Sequence, residues 1–464
     1  MADFSIADLE YWNERIERIA KECSLDYYNQ EFEIIDYEDM IGYESYVGMP
    51  SHYPHWSYGK SYERIKTLHK YNLTGLPYEM VINSNPCLAY LMKDNSLLLQ
   101  VLTIAHVYAH NDFFKNNRLF KLGTKAEYTV EMFKNHANRI REYISDPSIG
   151  YARVEKILNA AHAVKLQTER IMEFQNRNRP DKTGKDVSAL AENNKDFPYL
   201  ERYTQKNSEE LEQFVQQEIK IPEKPEEDIL KFIIEYGRLQ DWEKDILAIV
   251  REEAHYFLPQ IETKIMNEGW ASYWHYSIMN KLELPQNMHM EFLKRHNEVI
   301  RPLKSSINPY YIGFKIFESL DEKYGREKIF EIRETERDQS FIRRYLTQEL
   351  CGEMNLFEYV AAGNDYMVSE VSDDEGWKVV RDTLCNTVGI GSIPSISVEE
   401  WNQKDNTLVL AHEYDDRELE LSYAYETLKH LVDLWNGKIL LVTQLEGKKK
   451  NISCDEQKRI SLYG

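Results

Sequence analysis

The chain has 464 residues, of which 42% are hydrophobic and 12% aromatic, so it carries enough apolar material for a large core and is not globally disordered. Its formal net charge of −21 argues against a nucleic-acid-binding surface and against docking on anionic lipid, because both need a basic face. The five cysteines are scattered and form no CxxC pair, which is typical of a reducing cytosol. With no signal peptide and no apolar run of about 20 residues, the sequence predicts a cytoplasmic protein without a membrane span.

Helical patterning dominates the N-terminal part of the chain. Apolar residues recur at helical spacing over residues 5–24, which predicts an amphipathic helix. Residues 25–60 are rich in Tyr, Gly and Pro, and we expect ordered loops with short strands there. A strong helix is predicted over 96–115, and helical periodicity continues over 125–175.

The composition changes twice in the rest of the chain. Residues 176–227 are charged and contain several prolines, which is typical of a polar linker. Helical patterning resumes over 228–352, and short alternating runs with one helix follow over 353–464. The sequence therefore predicts a helical domain over 1–175, a linker, a central helical region and a small α+β C-terminal domain. The predicted fold class is mainly α with a bundle-like helical core and this α+β appendage.

A pair of histidines lies within the helix predicted over 96–115. His106 and His110 are four residues apart, so they share a helix face with Cβ atoms about 6 Å apart and can reach one metal ion. The HExxH helix of metalloproteases uses this spacing, but Val107 stands where that motif has its glutamate base. A pair of core histidines satisfied by hydrogen bonds is the alternative interpretation of the same spacing.

A second segment carries a carboxylate and an imidazole. Glu268 and His275 are seven residues apart, so two helical turns return them to nearly the same face. Glu268 lies in a predominantly apolar helix, where a carboxylate is costly unless it is paired or binds a metal. Gly269 would let another backbone approach this helix closely, despite a helix penalty of about 1 kcal/mol. An ion pair between Glu268 and a buried cation is the alternative.

A third segment lies just upstream. Glu252-Glu253-Ala254-His255 contains an ExxH pairing, which di-iron helix bundles use to face one metal pair. With Arg251 before it, the segment also reads as an HExxH motif that has lost its first histidine. Because short ExxH matches are common by chance, a solvated helix face is the competing interpretation.

Together these segments predict a site for a divalent metal. The predicted ligands are His106, His110, Glu268 and His275. A mixed nitrogen and oxygen set suits zinc, with iron and manganese as the other options. Glu252 and Asp112 are the candidates for general acid or base. Asp112 is also placed to hold an imidazole tautomer from outside the ligand set.

Several of these segments resemble signatures of the SpoVR family, stage V sporulation protein R. The similar segments are Tyr53-Pro54-His55-Trp56-Ser57-Tyr58-Gly59-Lys60, Val81-Ile82-Asn83-Ser84-Asn85-Pro86-Cys87, residues 105–117, residues 264–275, and Ile307-Asn308-Pro309-Tyr310-Tyr311-Ile312-Gly313. The resemblance extends over nearly the whole chain, and several motifs exceed eight residues.

The resemblance implies a role in sporulation, in formation of the spore cortex, which is a modified peptidoglycan. Family members in bacteria that do not sporulate accompany a serine-kinase-like AAA protein and a von Willebrand A-domain-like protein under stress or starvation. The family pattern includes His106, His110, Glu268 and His275 but does not fix His255. The family name carries no settled reaction.

Two functions from different classes follow. The first is a metal-dependent enzyme, a hydrolase or transferase, acting on a peptidoglycan precursor or an amide-type cell-wall substrate. The second is a non-enzymatic scaffold or regulatory protein that works with the kinase-like AAA partner, in which the histidines are structural. Metal content separates the two, because only the first requires a bound ion.

Overall fold

The computed structural model describes residues 4–71, 79–169, 221–303, 307–362 and 365–464. Most of the predicted linker over 176–227 lies outside the described residues. The chain groups into two compact units, each built from two separated segments. Unit 1 comprises Met1–Asn159 with Asp241–Ile393, and unit 2 comprises Ala160–Gln240 with Pro394–Gly464.

The N-terminal part of the chain alternates helices with short strands. From the N-terminus the elements are α1 (Ile6–Glu22), β1 (Gln30–Ile35), α2 (Tyr37–Ser45), α3 (Trp56–Lys70), β2 (Glu79–Ile82), β3 (Cys87–Met92), α4 (Leu97–Asn116), α5 (Arg118–Gly123), α6 (Thr129–Ser145) and α7 (Tyr151–Val164).

The central part is helical, and strands return near the C-terminus. The elements are α8 (Ile229–Tyr236), α9 (Asp241–Glu262), α10 (Lys264–Lys281), α11 (Gln286–Val299), α12 (Pro309–Tyr324), α13 (Arg326–Thr335), α14 (Asp338–Tyr345), α15 (Gln348–Glu353), β4 (Glu358–Ala362), β5 (Asp365–Glu370), α16 (Gly376–Thr387), β6 (Ser395–Asn402), β7 (Thr407–Glu413), α17 (Leu421–Trp435), β8 (Ile439–Leu445), β9 (Lys448–Cys454) and β10 (Ile460–Tyr463).

A three-stranded sheet in unit 1 has the order β1-β3-β2. β1 and β3 run parallel, and β2 pairs with β3 in the antiparallel sense, with Glu79 opposite Leu91. β3 leads into α4, which begins after Ser96, whose hydroxyl accepts the backbone N–H of Leu99. The edge strand β2 therefore places Glu79 beside the helix that follows the sheet.

The helix α4 is the centre of unit 1. Nearly every side chain from Leu98 to Phe114 is buried, on all faces of the helix, which is the pattern of a helix enclosed by other elements. It packs against α10 and α1. Polar groups on such a helix are costly unless they are hydrogen-bonded or hold an ion, and α4 carries two histidines.

The helix α10 is held at its start and at its middle. The carboxylate of Asp338 on α14 accepts the backbone N–H groups of Ile265 and Met266 at 2.8 and 2.9 Å, so it caps α10 from another helix. One turn later a Cβ on Gly269 would lie 2.3 Å from the backbone of Gly313 on α12. The predicted close approach of a backbone at Gly269 is confirmed.

Unit 2 contains a five-stranded sheet of order β10-β9-β8-β7-β6. β7 and β8 are parallel and are joined through α17, whereas the other neighbours are antiparallel. This sheet with its helix is the small α+β domain, and the rest of the described chain is mainly helical, so the predicted fold class is confirmed. Within the described ranges, every helix is too short or too polar to serve as a membrane span.

The division of the chain differs from the predicted one. Parts of the helical regions predicted separately over 1–175 and 228–352 share one core, because α4 from the first packs on α10 from the second, whereas α8 belongs to unit 2. The C-terminal boundary falls at Pro394 rather than 353. Within 25–60, β1 is one of the expected short strands, whereas α2 and the first turn of α3 replace part of the expected loop. They begin after Asp36 and His55, whose side chains accept backbone N–H groups.

Candidate metal centre

Two imidazoles and two carboxylates meet between α4, β2 and α10. His106 Nε2 lies 3.3 Å from Glu79 Oε1 and 3.9 Å from Glu268 Oε2. His110 Nε2 lies 3.9 Å from Glu79 Oε1 and 3.5 Å from Glu268 Oε2. Glu79, His106 and His110 each place one donor atom within 4.8 Å of the other two, in the part of the chain that the structure describes. These four side chains are called the His/Glu cluster below.

The cluster is buried, and each of its two carboxylates has one oxygen without a hydrogen-bond partner among the described residues. His106 is fully buried and His110 is 5% exposed. Oε2 of Glu79 and Oε2 of Glu268 are buried, and neither makes a hydrogen bond to another described residue. Because a buried polar atom without a partner costs about 1–3 kcal/mol, these oxygens are suited to a ligand.

Burial disfavours the charged forms of Glu79 and His106. It raises the pKa of Glu79 well above its ordinary value, and the neighbouring Glu268 raises it further. Burial likewise lowers the pKa of His106 well below its ordinary value, with His110 and His296 adding to the effect. A cation among these groups would stabilise the carboxylates and would need the neutral imidazoles that burial already favours.

His275 stands behind the imidazole of His106. Its Nδ1 lies 2.8 Å from Nδ1 of His106, on the ring edge opposite the carboxylates. Its Nε2 lies 2.8 Å from Nδ1 of His296 on α11. The structure therefore brings the four predicted ligands together, but it places His275 where it supports His106 rather than facing the carboxylates. Whether any of the four binds metal stays a prediction.

Two further side chains hold the cluster in place. Oδ1 of Asn267 lies 2.9 Å from Nδ1 of His110, so it orients that ring as His275 orients His106. The hydroxyl of Tyr310 on α12 hydrogen-bonds Glu268, and burial together with Glu268 and Glu79 raises the pKa of Tyr310 well above its ordinary value. Both imidazoles thus have their Nδ1 engaged and present Nε2 to the carboxylates.

Asp112 lies on another face of α4 and holds neither imidazole. Its Oδ2 accepts from Nη1 of Arg333 at 2.9 Å and from Nε1 of Trp270 at 2.9 Å, and its Oδ1 accepts the backbone N–H of Asp26 at 2.8 Å. Burial raises the pKa of Asp112 to about 7, although the Arg333 charge and these hydrogen bonds pull it down. Its contacts join α4 to α13 and α10.

Glu252 also lies away from the His/Glu cluster. Its Oε2 is 3.1 Å from Nε2 of His136 on α6. The adjacent Glu253 is buried between two imidazoles, with Nδ1 of His136 at 3.2 Å and Nε2 of His52 at 3.1 Å. The ExxH segment therefore pairs its glutamates with histidines from α6 and from the loop before α3. Neither predicted acid/base residue contacts the predicted ligands.

Sequence reasoning gave no role to four residues of the site, namely Glu79, Asn267, Tyr310 and His296. Glu79 begins a four-residue strand, and its approach to α4 depends on how the sheet packs on that helix, which no local period reveals. Tyr310 lies within a segment that resembles a family signature, but the resemblance assigns no role to it. His296 shows no distinguishing pattern, since it is one histidine on the amphipathic helix α11.

The fold and the cluster define a mainly helical protein with a buried histidine–carboxylate centre and a small α+β C-terminal unit. The chain belongs to the SpoVR family. The family model described as "SpoVR like protein" matches residues 3–393, and the model described as "SpoVR-like C-terminal domain" matches residues 394–446. It is 32% identical over 484 aligned positions to the Escherichia coli K12 protein described as "Uncharacterized protein YcgB", covering 96% of this chain and 93% of the relative. No solved structure matches it significantly.

Proposed function

We propose that the protein is a metal-dependent hydrolase whose divalent cation is held by His106, His110, Glu79 and Glu268. One observation carries the proposal, namely that Nε2 of each of two buried imidazoles lies 3.3–3.9 Å from a carboxylate oxygen of Glu79 and from one of Glu268. Glu79 joins the ligand set that the sequence predicts, and His275 moves to a supporting position.

The spacing of the donors fits a small divalent cation. Zinc binds imidazole nitrogen and carboxylate oxygen at about 2.0–2.2 Å, and a tetrahedral set at that distance has its donors about 3.4 Å apart. The four imidazole-to-carboxylate separations bracket this value, and Glu79, His106 and His110 form the most compact donor set among the described residues. Iron or manganese accept the same donors in a higher coordination number.

A bound cation of this kind polarises a carbonyl and lowers the pKa of a bound water toward about 7. Residues of the protein itself orient the ligands and hydrogen-bond to them. His275 and Asn267 orient the two imidazoles through their Nδ1 atoms. The hydroxyl of Tyr310 hydrogen-bonds Glu268. Tyr310 takes the role of general acid or base that the sequence predicts for Glu252 and Asp112, because it is the proton-bearing group beside the ligands.

The proposed substrate is an amide-type precursor of peptidoglycan, acted on in the cytoplasm. The family name, SpoVR, supports a role in sporulation, and we propose that this role is in forming the spore cortex. We extend the proposal to a second setting, stress or starvation outside sporulation, because the chain also aligns over 93% of a protein from Escherichia coli K12. A kinase-like AAA protein and a von Willebrand A-domain-like protein are the proposed partners in that setting.

Metal content and function are tested together on the full chain. We expect the purified protein to bind about one equivalent of zinc, iron or manganese, and His106→Ala/His110→Ala to bind none and to fail in cortex formation when it replaces a spore-former's own family member. His289→Ala, which changes a half-buried histidine of α11 outside the cluster, is the control and should retain both. Wild-type protein without stoichiometric metal, together with a fully functional double variant, would favour the scaffold instead.

A further inference from the structure

Three buried histidines form a continuous row that leads away from the proposed ligands. Nδ1 of His106 meets Nδ1 of His275 at 2.8 Å, and Nε2 of His275 meets Nδ1 of His296 at 2.8 Å. His275 is fully buried, and His296 is 3% exposed. The row passes from α4 through α10 to α11, so three helices each contribute one ring.

The row is sealed from water at its far end by aromatic rings. The ring of His296 lies 4.6 Å from that of Tyr276, 5.2 Å from that of Phe314 and 6.0 Å from that of Phe292, measured between centroids. In such surroundings a nitrogen–nitrogen contact of 2.8 Å requires one proton between each pair of rings, because two facing lone pairs repel and two facing N–H groups clash.

We propose that His275 and His296 are positioning residues that set the tautomer through which His106 takes its metal, an inference that rests on the proposed function. A metal on His106 Nε2 requires the proton on Nδ1, which then donates to Nδ1 of His275. His275 must in turn carry its proton on Nε2 and donate to Nδ1 of His296. The opposite polarity puts a proton on His106 Nε2 and blocks the ligand position.

Substituted side chains at 275 and 296 differ in what they can accept and donate. Glutamine at 275 can accept from His106 with its carbonyl and donate to His296 with its amide, so it preserves the polarity. Phenylalanine at 275 or at 296 fills the space but cannot accept, which leaves an N–H of the preceding ring unsatisfied. Loss of such a supporting partner weakens metal binding by about 10–100-fold in other metal sites.

Zinc affinity of the full-length protein, measured by competition with a chromophoric chelator, tests the proposal. We expect His275→Phe to bind zinc about 10–100-fold more weakly and His296→Phe to be weakened less, whereas His275→Gln stays within about threefold of wild type. His289→Phe on α11 is the matched control and should bind as wild type does. Equal affinities for wild type, His275→Phe and His296→Phe overturn the inference but leave the proposed site standing. A wild-type protein that binds no zinc, iron or manganese overturns the site itself.

A second measurement determines the tautomers directly in the wild-type protein. In zinc-loaded wild-type protein with ¹⁵N-labelled histidine, we expect His275 and His296 both to be neutral with the proton on Nε2. Spectra that place the proton of His275 on Nδ1 contradict the proposal, whatever the affinities of the variants. Assignment uses His275→Gln and His296→Gln, each of which removes one set of signals.

Discussion

Asp112 and His110 show how helix geometry separates neighbours in sequence. Two residues along an α-helix turn the side chain by about 200°, so positions i and i+2 face nearly opposite directions. Asp112 accordingly faces Arg333 and Trp270, while His110 faces Asn267 and the carboxylates. The prediction that Asp112 serves the imidazoles therefore fails on geometry, although its chemistry as a carboxylate was suitable.

The pairing of Glu268 with His275 fails in part for a related reason. Seven residues return the chain to the same face, but they also advance it by about 10.5 Å along the axis. Two side chains that far apart meet different rings of α4, and Glu268 lies beside His110 whereas His275 lies behind His106. Periodicity thus identified the face of α10 correctly and left the distance along it unresolved.

Glu253 and His136 form a second buried pair, whose charges make a testable contribution to stability. Burial lowers the pKa of His136, but hydrogen bonds to Glu252 and Glu253 outweigh it and the net shift is upward. Burial raises the pKa of Glu253, but hydrogen bonds from His136 and His52 outweigh it and the net shift is downward. The pair therefore favours the state in which the histidine is protonated and the glutamate is ionised.

The stabilisation from this pair should be greatest in mildly acidic solution. The part due to His136 is complete below its unfolded pKa of about 6.5 and is lost as pH rises through the higher folded value. The part due to Glu253 is complete above its unfolded pKa of about 4.3 and is lost as pH falls through the lower folded value. We expect His136→Gln to lower the free energy of unfolding by about 3 kcal/mol between about pH 4.3 and 6.5, and by less outside that range.

Denaturant unfolding at a series of pH values measures this difference. The double variant His136→Gln/Glu253→Gln serves as the control, because it removes both titrating partners and should show no maximum in the window. A His136→Gln effect that stays constant from about pH 4 to about pH 9 would show that the pair acts by packing rather than by charge.

At the scale of elements, the crossing of α10 and α12 depends on Gly269 and Gly313. A Cβ on either glycine would lie within 2.3 Å of the backbone of the other helix. This crossing also brings Tyr310, at the start of α12, to Glu268. The shape of the site is thus tied to two positions that carry no side chain.

Substitution of Gly269 by alanine should separate the two helices and destabilise the protein. We expect Gly269→Ala to lower the free energy of unfolding by about 3 kcal/mol, as overpacking of a dense core does. Gly59→Ala on α3 is the matched control, since a Cβ added there would meet nothing within 4 Å and alanine favours a helix by about 0.5–1 kcal/mol. Thermal melts that rank Gly269→Ala as stable as Gly59→Ala would contradict the close approach seen here.

Local pattern predicted the elements better than it predicted their contacts. The helix carrying His106 and His110 was evident, because its apolar residues recur along its whole length and Ser96 provides a cap. The position of Glu79 beside α4 was not evident from the sequence. The strand β2 reaches the site only through its pairing with β3, in a sheet whose third strand, β1, lies far away in sequence. His52 contacts Glu253 although the two residues lie far apart in the sequence of unit 1, so their spacing cannot indicate the contact.

At the scale of the whole molecule, unit 2 is assembled from two distant parts of the chain. Glu226 and Val398 exchange backbone hydrogen bonds of 3.0 and 2.8 Å, and Phe232 on α8 lies 5.8 Å from Trp435 on α17 between ring centroids. The boundary between the two family models falls between residues 393 and 394, where the units also divide. The segment after 393 therefore depends on residues that precede α9.

Removal of the C-terminal segment should expose the apolar face of α8. A chain that ends at Ile393 leaves Ile229, Leu230, Phe232 and Ile233 without the sheet and helix they pack with, and exposed apolar patches of this kind drive association. We expect this truncated chain to elute as aggregate in size-exclusion chromatography, whereas the full chain elutes as a defined species. A truncated chain that elutes as a defined species would show that unit 2 does not need both segments.

The proposed enzymatic function depends on a divalent cation between His106, His110, Glu79 and Glu268. Anomalous diffraction from a crystal of the zinc-loaded full chain locates that cation without reference to activity. We expect one strong peak above the zinc absorption edge, about 2.0–2.2 Å from Nε2 of both histidines and from a carboxylate oxygen of each glutamate. A map with no peak at these four side chains, or with its main peak beside His136 and Glu253, would contradict the proposed centre.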